Sequence, residues 1–149
     1  MSEIGMYRSQ LRFPLKFTLE MGGGAVDLEK FLSFQILKEA MEMVAEKHKG
    51  ELVRSIKDYY GRETKCDLAV SIPDFGRGIG IQVDRESGAI DFVYDPYGGY
   101  EKVAQEIIDE VTQNYIGIAV IRAMKSLGYS VREEPTTREK AVVLLGVKS

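Results

Sequence analysis

The sequence predicts an α+β protein: an antiparallel sheet with two helices packed on one of its faces. Three observations carry this. Several short stretches alternate apolar and polar residues, the pattern of strands with one buried face. Two stretches switch to three- and four-residue steps, the pattern of amphipathic helices. The connectors between residues 52 and 94 are short, which favours antiparallel neighbours. The predicted order is β-α-β-β-β-β-α-β-β, in one domain spanning 1–149, a length that suits a single sizeable core.

Residues 7–20 alternate through Leu11, Phe13, Leu15, Phe17 and Leu19, so a strand is expected. Pro14 lacks an amide donor, which places that strand at a sheet edge or starts it after the proline. Gly22, Gly23 and Gly24 end it. A glycine triplet can cradle phosphate, but no Lys-Ser/Thr follows, so a turn is the reading adopted. Asp27 then suits an N-cap. Phe34, Leu37, Met41, Val44 and His48 share one helical face, and Gly50 marks the stop. His48 falls in the last turn, where a protonated imidazole favours the helix dipole, and no catalytic partner for it is visible. Met41 and Met43 read as gap-filling side chains.

Strands are expected over about 52–59, 66–72, 78–83 and 89–94, forming a four-strand meander. Glu86-Ser87-Gly88 supplies a tight hairpin turn. Asp74-Phe75-Gly76 matches a kinase triplet without the rest of that machinery. Gly76-Arg77-Gly78-Ile79-Gly80 lacks dinucleotide-binding spacing and opens a strand, so turn and strand geometry explain its glycines.

Pro96 ends the meander and Gly98-Gly99 permits a sharp reversal. A helix over 101–127 follows. Val103, Ile107, Val111 and Tyr115 recur every fourth residue, opposite a charged face. After Asn114 the sequence becomes apolar on all sides: Tyr115, Ile116, Gly117, Ile118, Ala119, Val120, Ile121. Such a helix must be covered on all sides, by its own domain or by another chain. Leu127-Gly128-Tyr129 reads as a glycine cap. Strands over 129–134 and 141–147 close the chain.

Composition excludes several classes. Twenty basic and twenty-three acidic residues, interspersed, give a net charge of −3. That balance exerts no general pull toward nucleic acid or anionic membranes. One cysteine, Cys66, precludes an internal disulfide, and with His48 as the sole histidine no four-ligand Cys/His metal site can form. The start lacks the continuous apolar core of a signal peptide, and no run reaches the ~18 apolar residues of a membrane span. The cytoplasm is the expected location.

Short motifs then suggest kinship. They are Asp27-Leu28-Glu29; Val53-Arg54 with Tyr60-Gly61-Arg62; Cys66-Asp67-Leu68-Ala69-Val70; the Gly78-Ile79-Gly80 strand; Asp95 to Gly98; Gln113-Asn114-Tyr115; and Gly128-Tyr129-Ser130-Val131. Together they resemble a domain-of-unknown-function family typified by conserved chloroplast and cyanobacterial open-reading-frame proteins. The match in element order covers most of the chain. It departs in having no Trp before the long helix and in a longer first helix. The resemblance implies a fold and no activity. The first seven elements also resemble the TATA-binding-protein-like topology, an analogy that carries no DNA-binding function with it.

Three functional readings follow. The first is a non-enzymatic binding or assembly module. It engages a second copy or another protein through residues 115–121 or the open sheet face. The second is a small polar-ligand or metal-assisted enzyme built where strand-end loops meet, from Asp74, Arg77, Asp95, Tyr97 and Tyr100. No catalytic residue, cofactor or metal ligand is assigned. Turn chemistry and edge shielding account for the same residues without a ligand. The third is a single-strand nucleic-acid platform using Arg8, Arg12, Lys16, Arg54, Lys57 and Arg62 beside Tyr59 or Tyr60, which the acidic balance opposes. A reactive Cys66 is set aside for want of an activating base.

Overall fold

The computed structural model describes residues 3–12, 32–130 and 147–148. Its elements are β1 (Gly5–Arg12), α1 (Leu32–Lys47), β2 (Glu51–Lys57), β3 (Glu63–Ile72), β4 (Phe75–Val83), β5 (Ala89–Tyr94), α2 (Glu101–Ser126), β6 (Tyr129–Ser130) and β7 (Val147–Lys148). Five strands make one antiparallel sheet in the order β1-β5-β4-β3-β2, and β6 pairs with β7 separately. The class is α+β. The expected alternation at Phe13 to Leu19, the glycine triplet, Lys16 and the Asp27 cap lie outside the described residues, as do most of the strands expected over 129–134 and 141–147.

Strand alternation assigns the two sheet faces. Leu68, Val70 and Ile72 of β3, Ile79, Ile81 and Val83 of β4, and Ile90, Phe92 and Tyr94 of β5 point to one side. There they meet Phe34, Leu37, Ala40, Met41 and Val44 of α1 and Ala104, Ile107, Ile108 and Val111 of α2. Each aliphatic residue buried this way contributes about 1.5–3 kcal/mol. The other face holds a smaller cluster, Ile56, Ala69 and Val93, against Ile4, Val53 and Cys66. Asp91 lies on that face, and its register partner Arg8 grips it with two hydrogen bonds of 2.9 and 3.1 Å.

Two bulges shape this sheet. The β2–β3 register shifts between Val53 and Ser55, and beyond the shift Glu63, Thr64 and Lys65 continue the ladder. β3 therefore begins at Glu63 rather than the expected Cys66. Its first residues are polar, so no apolar alternation announced them. The β3–β4 register shifts after Val70, and Gly78 takes φ +91, the backbone demanded at many bulges. β4 thus starts at Phe75, not Gly78. The tight turn is Pro73-Asp74, and Gly78 is a bulge residue rather than turn or flat strand. Gly80 has a different role. A Cβ there would lie 2.3 Å from Cys66 Sγ.

The end of α1 also differs from expectation. His48 lies just beyond the last helical residue, its N–H still bonded to Val44 O at 3.0 Å. Gly50 donates to Ala45 O at 2.7 Å, and Lys49, with φ 59, adopts the left-handed position. This is a Schellman-type end with lysine where glycine is favoured. Gly50 is needed for a separate reason: a Cβ would lie 2.2 Å from Ser71 O. We therefore expect Lys49→Gly to stabilise the protein by about 1 kcal/mol, by relieving left-handed strain. Gly50→Ala should destabilise it by about 2 kcal/mol through overpacking. Urea denaturation followed by circular dichroism measures both, and equal effects at the two positions would contradict this division of roles.

Candidate functional site

Four of the five loop residues singled out from sequence come together. Asp95 follows β5 directly and is fully buried. Its Oδ1 accepts the Tyr97 N–H at 3.0 Å and its Oδ2 accepts the Tyr59 N–H at 2.8 Å. One carboxylate thereby ties the β2–β3 turn to the loop before α2. Arg77, from the bulged start of β4, crosses this junction. It donates to the carbonyls of Asp95 (3.1 Å) and Tyr97 (2.6 Å). Its guanidinium also lies over the rings of Tyr59 and Tyr100, at 5.3 and 5.1 Å, within cation–π range. Gly98 and Gly99 both take positive φ, which folds Tyr100 back beneath Arg77.

Asp74 is not part of this cluster. It sits exposed in the β3–β4 turn, and no hydrogen bond or ion pair among the described residues joins it to Arg77 or Asp95. The cluster instead gains Tyr59, whose ring packs edge-on against Tyr97 at 4.7 Å and Tyr60 at 5.2 Å. Tyr59 was expected at the end of a strand over about 52–59, with Tyr60 just beyond it. The turn begins at Asp58, which accepts N–H bonds from Tyr60 and Arg62 and the Arg62 Nε–H at 2.5 Å. Asn, Asp and Gly turn chemistry was the available signal; here it was Asp58 with Gly61 at φ 83.

Three of the basic residues proposed as a nucleic-acid platform are engaged within the protein. Arg8 binds Asp91 and Asp84, Arg54 donates to Asp67 O, and Arg62 is held by Asp58. No group of three His, Cys, Asp or Glu side chains among the described residues is placed to hold a metal ion.

His48 has a partner after all. Its Nε2 lies 2.7 Å from Glu110 Oε2, and Lys47 Nζ bonds the other carboxylate oxygen. The end of α1 is thus clamped to the middle of α2. Burial works against the Glu110 carboxylate, but the bonds from Lys47 and His48 outweigh it and hold its pKa below the usual value. One turn further along α2, Asn114 Nδ2 donates to Ala40 O at 3.2 Å, reinforcing the same contact. Burial, helped by Asp67, pushes the Cys66 thiol up to about 11, far from the thiolate that reactive cysteines require.

The second half of α2 meets a different environment. Ile107, Ile108, Val111 and Ile121 are buried. Ile116, Val120 and Leu127, however, are 49%, 37% and 68% exposed, and Ala123 lies open between them. No described helix is long and apolar enough to cross a membrane. No family model, curated protein or solved structure matches the chain.

Removing Arg77 deletes two charge-assisted hydrogen bonds and two ring contacts. Arg77→Ala should cost about 2–3 kcal/mol, and Arg77→Lys should restore little of it. The chain has no Trp, so tyrosine fluorescence during urea denaturation reads the change directly. A loss under about 0.5 kcal/mol would mean that the cage is not structural.

For Glu110 the sign follows from its depressed folded-state pKa. The carboxylate contributes stability above the ordinary Glu value of about 4.3, and that stability is lost as pH falls through the lower folded value. Glu110→Gln should therefore lower the melting temperature at pH 6 and have a smaller effect near pH 3. An equal deficit at both pH values would refute the clamp.

Proposed function

We propose that the protein is a non-enzymatic binding and assembly module whose partner-facing surface is the second half of α2. The observation that carries this is the exposed row Ile116, Val120, Ala123 and Leu127. These residues recur at 4-3-4 steps, so they form one straight stripe along the helix. The core-facing side of the same helix is already filled by α1 and the sheet. A contiguous apolar stripe with no role in its own core fits an association surface.

The alternative, a ligand or metal-assisted enzyme at the Asp74, Arg77 and Asp95 loops, has less support. Asp95 uses both oxygens on backbone N–H groups, Arg77 spends its guanidinium on carbonyls and rings, and Asp74 stands apart. Nucleic acid is no partner in this reading, because Arg8, Arg54 and Arg62 are engaged by carboxylates and a carbonyl and the overall charge is acidic. A cytoplasmic location belongs to the same proposal, since a lone thiol calls for no oxidising compartment. The proposed kinship with the chloroplast and cyanobacterial open-reading-frame proteins rests on the short motifs quoted above and brings no activity with it.

Ile116→Glu/Val120→Glu tests the surface. Because both positions are exposed, the variant should fold with a melting temperature within a few degrees of the parent. Chemical cross-linking in extracts of the source cells, read by mass spectrometry, should place wild-type cross-links on residues 115–127 and lose them in the variant. Cross-links that map elsewhere, or that survive the substitutions, would overturn the assignment.

A further inference from the structure

The stripe does not stop at Ile116. Continued toward the start of α2 at the same spacing, it passes through Gln113, Asp109, Glu106 and Lys102, which are also exposed. One helix face is therefore divided: charged and polar in its first half, apolar in its second. The flanks of the apolar half are equally distinctive. Thr112, Ala119 and Ser126 lie on one side, Gly117 and Met124 on the other, so no charge borders the stripe. Arg122 is turned away and bonded to Glu39 of α1.

From this charge pattern we infer that the stripe's partner is a second copy of the chain, with the two α2 helices packed antiparallel about a twofold axis. The inference rests on the reading of this surface as an association face. A twofold interface must be self-complementary. An uncharged stripe with small, uncharged flanks meets that condition and lets two helix backbones approach closely.

Orientation follows from the divided face. Parallel helices would set Asp109 against Asp109 and Glu106 against Glu106 of the other copy, and such like-charge pairs are destabilising. Antiparallel helices centred between Val120 and Ala123 remove that clash. Ile116 then opposes Leu127 of the other copy, and Val120 opposes Ala123, large against small. The charged halves project past the ends of the opposing helices. Opposed helix dipoles favour the same arrangement.

The contact is short, three turns of helix, so a monomer–dimer equilibrium in the micromolar range is expected. Sedimentation velocity from about 5 to 200 μM should show dimer forming with concentration. Ile116→Glu/Val120→Glu should stay monomeric throughout. Orientation is read by cross-linking in a Cys66→Ala background, which removes the native thiol. A mixture of Ile116→Cys and Leu127→Cys proteins should form a disulfide between unlike chains under mild oxidant. Ile116→Cys alone should not, because its two copies lie about 16 Å apart at 1.5 Å per residue, beyond disulfide reach.

Efficient cross-linking of Ile116→Cys alone would overturn the antiparallel arrangement. Wild-type protein that remains monomeric at about 200 μM would overturn the second copy as partner. The extract experiment separates that failure from failure of the surface itself. Stripe cross-links to a different protein would leave the association face standing, and their absence would remove it.

Discussion

One buried carboxylate governs how the pieces of this structure are joined. Asp95 places a carboxyl group in a site with no solvent exposure, where an unsatisfied polar group costs several kcal/mol. It is tolerable only because Tyr59 and Tyr97 supply N–H groups and Arg77 stands beside it. Satisfying that group fixes the loop that follows. With Tyr97 bonded to Asp95, and Tyr100 N–H bonded to Pro96 O at 3.0 Å, the chain enters α2 in one direction only. No side chain caps the N-terminus of that helix. The aspartate, one turn earlier, sets its start instead, and with it the angle at which Ile107, Ile108 and Val111 meet the sheet.

Because α2 starts where it does, its length becomes consequential. Its 26 residues extend about 39 Å at 1.5 Å per residue, longer than the sheet and α1 can cover. The first half buries a conventional stripe, held by the Glu110 clamp and by Asn114 against Ala40. Deleting one of its core aliphatics, such as Val111→Ala, costs about 1–3 kcal/mol. The second half buries Asn114 and Ile121 and packs Tyr115 and Ile118 partly against the core. Its exposed apolar residues, Ile116, Val120, Ala123 and Leu127, add little to the monomer's stability, which is why they are available for association.

Much of this was legible in the sequence, for identifiable reasons. The meander from Glu51 to Tyr94 showed itself through period-two alternation and short connectors. The limits of α2 showed through Pro96, the Gly98-Gly99 pair and Gly128. The fading amphipathicity after Asn114 was visible as composition, although which of those residues would be covered was not. Coverage depends on how α1 crosses α2, and that is set by contacts distant in sequence, His48 to Glu110, Ala40 to Asn114 and Glu39 to Arg122. The bulges were missed because they alter pairing without altering composition: Glu63 to Lys65 look like a loop, and Gly78 looks like a turn. The candidate loop was half legible. Arg77, Asp95, Tyr97 and Tyr100 could be nominated by residue type. Tyr59, 36 residues before Asp95 along the chain, could be joined to them only by folding the sheet.

The contact between Cys66 and Gly80 gives the molecule a built-in gauge. The thiol occupies the space that a glycine without a Cβ leaves vacant, between two central strands on the face away from the helices. Its raised pKa leaves almost no thiolate at neutral pH. The residue is only partly buried, so reagent reaches it without strand separation, and labelling of the folded protein is held back by the scarcity of thiolate. Set against the rate for an unfolded thiol, the labelling rate of this single cysteine then reports whether its environment beside Gly80 is kept.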